Sequence, residues 1–294
     1  MSVTAAPAAA RMGGMLPALT AAMSFSVADI LLKLIYASGM NVLTLLSLRG
    51  TLVVVFFFTW LRLSPPARWH TRRERLVALG LGVLFAAVMF GLLKAISLLP
   101  VSIAILAYFV YPLLTGIAGA VTGVDRLGWR ALLTAAVAFG GLALMLGQQI
   151  GDLSWEGLAF AFGAAVCRVT SLLGTRAWLA GTDARVTTWY SMVPSTGLFI
   201  LALLISGEVQ FAQTAWGWGA FIGAAVTTTL STLLIYMSTN TVGPFRTALV
   251  MNLEPLLTLI FSMLLLGEVL TPVQVVGAAT MIAALCAFQF VRGR

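Results

Sequence analysis

Charge and reactive side chains are both scarce in this chain. Only 9% of its 294 residues are Asp, Glu, Lys or Arg, against about a quarter in a soluble domain. There is one histidine, His70, and there are two cysteines, Cys167 and Cys286. One histidine and two scattered thiols make no metal-ligand cluster. Both cysteines fall inside apolar runs, where a thiol is small apolar filler rather than part of a disulfide framework. The sequence shows no phosphate-cradling glycine loop and no nucleophile elbow. It therefore speaks against an enzyme and calls for no cofactor and no metal.

What the chain has in excess is apolar surface. Hydrophobic residues make up 61% of it and the mean hydropathy is +1.04, more than a water-soluble fold of this length can hide. Ten apolar runs are long enough to cross about 30 Å of hydrocarbon at about 1.5 Å per residue. They extend over 15–37, 42–61, 76–99, 102–122, 129–148, 155–179, 186–206, 216–241, 245–267 and 273–291. The expected fold is an all-α integral membrane protein of about ten transmembrane helices. Arg11 ahead of the first run suggests a secretory leader. That run carries Asp29 and Lys33 and has no small-residue cleavage site, so it reads as a retained helix.

The arginines give the helices a direction. Cytoplasmic loops collect Lys and Arg, which places the loop holding Arg62, Arg68, Arg72, Arg73 and Arg75 inside. With ten alternating spans, Arg11, Arg126, Arg130, Arg185, Arg246, Arg292 and Arg294 also fall at cytoplasmic ends, and both termini lie in the cytoplasm. The opposite ends carry Asp152, Glu156, Glu208 and Glu268. The net charge of +8 is thus topological, and a nucleic-acid partner is not implied. Trp60, Trp129, Trp155, Trp178, Trp216 and Trp218 sit at span ends, as an interfacial belt requires.

The chain also repeats weakly. Laying 103–127 beside 246–270 sets Pro112 against Pro255, Thr115 against Thr258 and Asp125 against Glu268; the same offset sets Lys33 against Arg176. Each half, 1–150 and 151–294, holds five spans, and an odd number inverts the second half in the membrane. Inverted repeats supply two related conformations, one open to each side, and point to alternating access.

Two five-helix halves, each with a proline-bearing helix followed by an acidic residue, resemble the drug/metabolite transporter superfamily and its EamA branch. The segments that carry the resemblance are Ser26 to Lys33 with Arg49, Leu253-Glu254-Pro255-Leu256, and Gly267-Glu268-Val269-Leu270-Thr271-Pro272. The first half departs from the pattern, with Asp125 and Arg126 where a Gly-Glu pair is common. Within the superfamily the chain is similar to amino-acid exporters of the aromatic type. That resemblance implies a secondary transporter moving neutral or aromatic amino acids, or similar small metabolites, out across the inner membrane. Other readings are transport of nucleotide-sugar-like anionic metabolites or drugs and, from a different class, a membrane enzyme or a lipid-handling scaffold. The implied partners are a small-molecule substrate and the bilayer; no obligate protein partner is indicated.

Six ionisable residues fall inside the spans: Asp29, Lys33, Arg49, Lys94, Arg168 and Glu254. Each costs about 2.5–3.5 kcal/mol at the bilayer centre unless paired or hydrated. Four cations against two carboxylates leave surplus positive charge, which favours a cavity that receives an anionic group. Asp29 and Lys33, one turn apart, can pair within their helix. Lys33 and Lys94 can instead snorkel to an interface, and Arg49 can serve backbone carbonyls. Pro112 and Pro255 are expected to kink their helices and free the carbonyls of Tyr108 and Met251. With Tyr111, Asn252 and Glu254 beside them, these residues are the expected cavity wall.

Overall fold

The computed structural model describes residues 8–125, 128–146, 154–266 and 271–290. Arg126, Asp152, Glu268, Arg292 and Arg294 lie outside the described residues, as does the Arg11 side chain. The described residues form twelve helices and no strand: α1 (Ala8–Ala37), α2 (Val42–Leu63), α3 (Arg72–Leu98), α4 (Val101–Tyr108), α5 (Tyr111–Thr122), α6 (Trp129–Leu146), α7 (Trp155–Trp178), α8 (Ala184–Ser206), α9 (Ala215–Val242), α10 (Pro244–Met251), α11 (Leu253–Leu266) and α12 (Pro272–Phe290). Eight are single spans. The pairs α4–α5 and α10–α11 make two more, each interrupted.

Polar N-caps set where several spans begin. Asn41, Thr71, Ser154, Asp183 and Thr214 each accept a hydrogen bond from a first-turn amide, satisfying donors that lipid would leave bare. Thr71 and Glu74 complete a capping box. The belt tryptophans Trp129, Trp155, Trp178, Trp216 and Trp218 point outward. Trp60 instead stacks on Phe57 and lies under Arg185, whose Cζ is 5.3 Å from its ring centroid.

The two interruptions lie beside Pro112 and Pro255. The helix breaks at Phe109–Val110 and at Asn252, ahead of the prolines, and Pro112 and Pro255 then occupy the first turn of α5 and α11. A missing N–H there is one the helix would not have used. Pro17 and Pro194, by contrast, stand inside α1 and α8 without ending them.

Connections alternate between two ends of the bundle. At the end bearing residues 64–71, the loop end, Arg185 Nη1 donates to the Ser64 carbonyl at 3.2 Å and His70 Nε2 lies 3.0 Å from Thr187 Oγ1. At the far end Asn41 Nδ2 donates to the Glu208 carbonyl at 2.6 Å, and the Gln210 amide to Thr44 Oγ1 at 3.1 Å. Each set ties the turn between the first two helices of one half to the loop between the second and third spans of the other.

Packing follows the same exchange. The extensive α1–α9 contact becomes α7–α3 when every span is advanced by five, and α2–α8 and α6–α12 map onto themselves. The α6–α12 crossing brings backbone against backbone: a Cβ on Gly141 would stand 2.8 Å from the Gly277 carbonyl oxygen, and one on Gly277 2.6 Å from that of Gly141. The exchange fails most at one pair. α3 packs closely on α8, with Gly82 against the Ser191 carbonyl, whereas the related pair α9 and α2 touch over only a few residues. The space so left is the first part of the site.

Gly119 to Gly123 and Gly219 to Gly223 read in sequence as close-packing pairs, and only part of that holds. Gly123 is the left-handed C-cap of α5 and Gly219 faces open space, while Gly223 packs on Leu31.

Candidate functional site

Two narrow chambers lie inside the bundle. The first opens between α2 and α9 and is lined by Arg49, Met192, Phe199, Ser195, Thr196, Thr228, Thr229 and Thr232 among others. The second lies between α3, α7 and α9 and is lined by Arg168, Ser171, Thr175, Ile235 and Tyr236 among others. Phe25, Phe85 and Thr232 line both, so the chambers meet there. Counting along the helices, the Arg49 chamber occupies the far half of the bundle and the Arg168 chamber the loop half.

Each chamber has one arginine on its wall and no carboxylate. The hydroxyls beside Arg49 have already spent their protons: Thr228 Oγ1 donates to the Ala224 carbonyl at 2.6 Å, Thr232 Oγ1 to that of Thr228 at 2.8 Å, and Ser195 Oγ to that of Met192 at 3.0 Å. What they still offer is acceptor oxygens. Two buried polar atoms on these walls, Thr196 Oγ1 and Arg168 Nε, have no protein partner among the described residues.

The expected wall residues fall behind the chambers rather than on them. Tyr111 is fully buried, with its ring 5.3 Å from that of Tyr108 and Arg168 Cζ 5.8 Å above its face. The tyrosines thus form the backing that holds Arg168. Met251 is core, and Asn252 is buried at the α10–α11 break with Oδ1 unpartnered. Lys94 sits one turn from the end of α3, outside both chambers.

Asp29, Lys33 and Glu254 belong to a polar ladder between α1 and α11. Ser26 Oγ donates to the Glu254 carbonyl at 2.9 Å, Thr258 Oγ1 to Asp29 Oδ2 at 2.9 Å, and Lys33 Nζ to Ser262 Oγ at 3.0 Å. On α11 the rungs are spaced by four residues, which is one face of a helix. Glu254 is close enough to interact electrostatically with both Asp29 and Arg168, and Tyr36 with both Asp29 and Arg49. Arg49, Arg168, Asp29 and Glu254 therefore lie along one interior chain, and Lys33 on the same ladder leaves three cations against two carboxylates.

Sequence reading missed Phe25, Phe85, Ser195, Thr196, Tyr236 and the threonines of α9. The one available signal was Thr227-Thr228-Thr229 with Thr232 in an otherwise apolar helix. It also missed Asp125 as an inter-repeat cap: its carboxylate accepts from the Phe245 amide at 3.3 Å, at the start of α10. Burial raises the Asp125 pKa, opposed by that bond and by Arg246 and Arg176. Burial likewise pushes His70 below its usual value, so at neutral pH it serves Thr187 as a neutral ring.

A sequence profile of the EamA-like transporter family matches this chain twice, over residues 12–147 and 155–288. The chain belongs to that family. It is 32% identical over 267 residues to the threonine/homoserine exporter RhtA of Escherichia coli K12, covering 88% of this chain and 84% of that protein. RhtA of Salmonella typhimurium LT2 is 31% identical over the same coverage. An uncharacterized transporter of Bacillus subtilis, YyaM, is 29% identical over 58% of this chain and 58% of its own length. A crystal structure at 15% identity superposes with a TM-score of 0.79 over 94% of this chain and 96% of the other, which shows a shared fold. As an EamA-like transporter, the chain is a multi-pass membrane protein built on two copies of one unit.

Proposed function

We propose that this chain is a secondary transporter exporting neutral amino acids across the cytoplasmic membrane by alternating access. The observation that carries the proposal is the make-up of the two chambers. A zwitterionic amino acid needs donors for its carboxylate and acceptors for its ammonium group. Arg49 and Arg168 offer the first, and the hydroxyl oxygens of α8 and α9 offer the second. Arginine on both walls disfavours a cationic drug.

Repeats at 1–150 and 151–294 supply the movement. The tight α3–α8 contact and the loose α2–α9 contact are related by repeat exchange, so swapping them would move the opening from the far half to the loop half. Arg62, Arg68, Arg72, Arg73, Arg75, Arg130, Arg176, Arg185 and Arg246 crowd the loop end, which supports a cytoplasmic loop end with both termini there.

The relatives named as threonine/homoserine exporters and the hydroxyl-lined Arg49 chamber favour small hydroxylated substrates. Aromatic amino acids are the second reading, because Phe25 and Phe85 stand where the chambers meet. Proteoliposomes loaded with unlabelled substrate should take up labelled threonine or homoserine by exchange faster than protein-free vesicles. If neither these nor phenylalanine exceeds the protein-free rate, the proposal fails.

Asp29 and Glu254 are the carboxylates placed to carry a proton along the bundle. Asp29→Asn or Glu254→Gln is expected to abolish transport driven by a proton gradient while sparing substrate exchange. Undiminished gradient-driven transport in both variants would exclude this route.

A further inference from the structure

A third cavity, separate from the two chambers, opens at the loop end beside the ends of α2 and α8. It is an open cleft lined by Phe58, Leu61, Arg62, Pro65, Trp69, Trp189 and Tyr190. Its wall is continuous aromatic surface: the Phe58 and Trp189 rings are 6.1 Å apart and those of Trp189 and Tyr190 4.8 Å. Phe58 and Trp69 are 44% and 47% exposed, a large apolar face at the depth where a helix leaves the membrane.

The charges around this cleft are not equivalent. Arg68 is paired with Glu74 at 2.7 Å, and Arg185 with Asp183 at 2.6 Å. Arg62 has no carboxylate partner among the described residues; its Cζ lies 5.0 Å over the Phe58 ring. The cleft thus combines one uncompensated guanidinium with an aromatic trough, at the level of the lipid headgroups. We infer that it binds an anionic phospholipid of the surrounding bilayer, with the phosphate at Arg62 and the glycerol and upper acyl chain along Phe58, Trp69 and Trp189. Arginine matches a phosphate by paired donors, and basic pockets between helices near the cytoplasmic surface suit anionic headgroups. The neutralised neighbours make Arg62 the group that selects for charge.

Native mass spectrometry of the purified full chain, with phosphatidylglycerol or phosphatidylcholine added, tests this directly. Phosphatidylglycerol should be retained in preference to phosphatidylcholine. Arg62→Gln should weaken its retention about fivefold, the factor expected from about 1 kcal/mol per arginine near an anionic surface. Arg73→Gln, a loop-end arginine outside the cleft, should leave retention unchanged, and inorganic phosphate should not compete. Trp69→Ala should weaken both lipids, since it removes the trough and not the charge. Equal retention of the two lipids by the wild-type protein would overturn the inference whatever the variants do. So would equal losses in Arg62→Gln and Arg73→Gln, which would mean diffuse attraction, and so would displacement by inorganic phosphate.

Discussion

Arg168→Gln should raise the half-saturating substrate concentration by about 10- to 100-fold. A hydrogen bond to a charged group is worth about 1.5–3 kcal/mol, and about 1.4 kcal/mol is a factor of ten. The side chain lines a chamber without a carboxylate, and its Nε has no protein partner among the described residues, so the bond it has to give is available to substrate. Arg168→Lys should recover only part of the loss, because an ammonium group cannot present two parallel donors to a carboxylate. The readout is concentration-dependent exchange in proteoliposomes, alongside thermal unfolding, because Arg168 also rests on Tyr111. A variant that unfolds at the wild-type temperature and transports with wild-type affinity would remove Arg168 from the site.

The second large effect is structural and lies at the crossing of α6 and α12. Gly141→Ala should destabilise the protein by about 1–3 kcal/mol, the usual range for forcing atoms into a packed interior. The added methyl would stand 2.7 Å from the Met281 amide nitrogen, and backbone cannot swing aside as a side-chain tip can. Gly277→Ala should behave alike, since it meets Met145 and Gly141 in the same way. Gly140→Ala is the control, because a Cβ there meets nothing within 4 Å. In the control the methyl gains helix propensity of up to about 1 kcal/mol, so two adjacent substitutions should move the unfolding midpoint in opposite directions. A shared direction for both would contradict the close backbone packing of α6 on α12.

That pair of glycines shows where sequence reading stopped. The length and spacing of the apolar runs carry the ten spans, because crossing hydrocarbon imposes a length that is visible residue by residue. Inversion follows from counting five. Nothing local, however, distinguishes Gly140 from Gly141; their difference is set by α12, more than 130 residues away. The ladder was half visible, since Ser26, Asp29 and Lys33 share a helical face, but its partners on α11 lie about 230 residues on. The interior charges were readable as a set. Their grouping was not: Arg49 and Arg168 reach separate chambers, whereas Asp29 and Glu254 stay between helices. Tyr108 and Tyr111 adjoin a proline in the sequence; the fold sets them behind Arg168, off the lining of both chambers.

The reading of the chambers rests on recognition of a carboxylate, and competition in counterflow isolates that requirement. Vesicles preloaded with threonine should accumulate labelled threonine, and external threonine should suppress the signal. Threoninol keeps the ammonium and hydroxyl groups and lacks the carboxylate, so it should fail to compete at concentrations where threonine competes fully. If threoninol competes as well as threonine, the arginine-walled chambers are not reading a carboxylate and the account given for them is wrong.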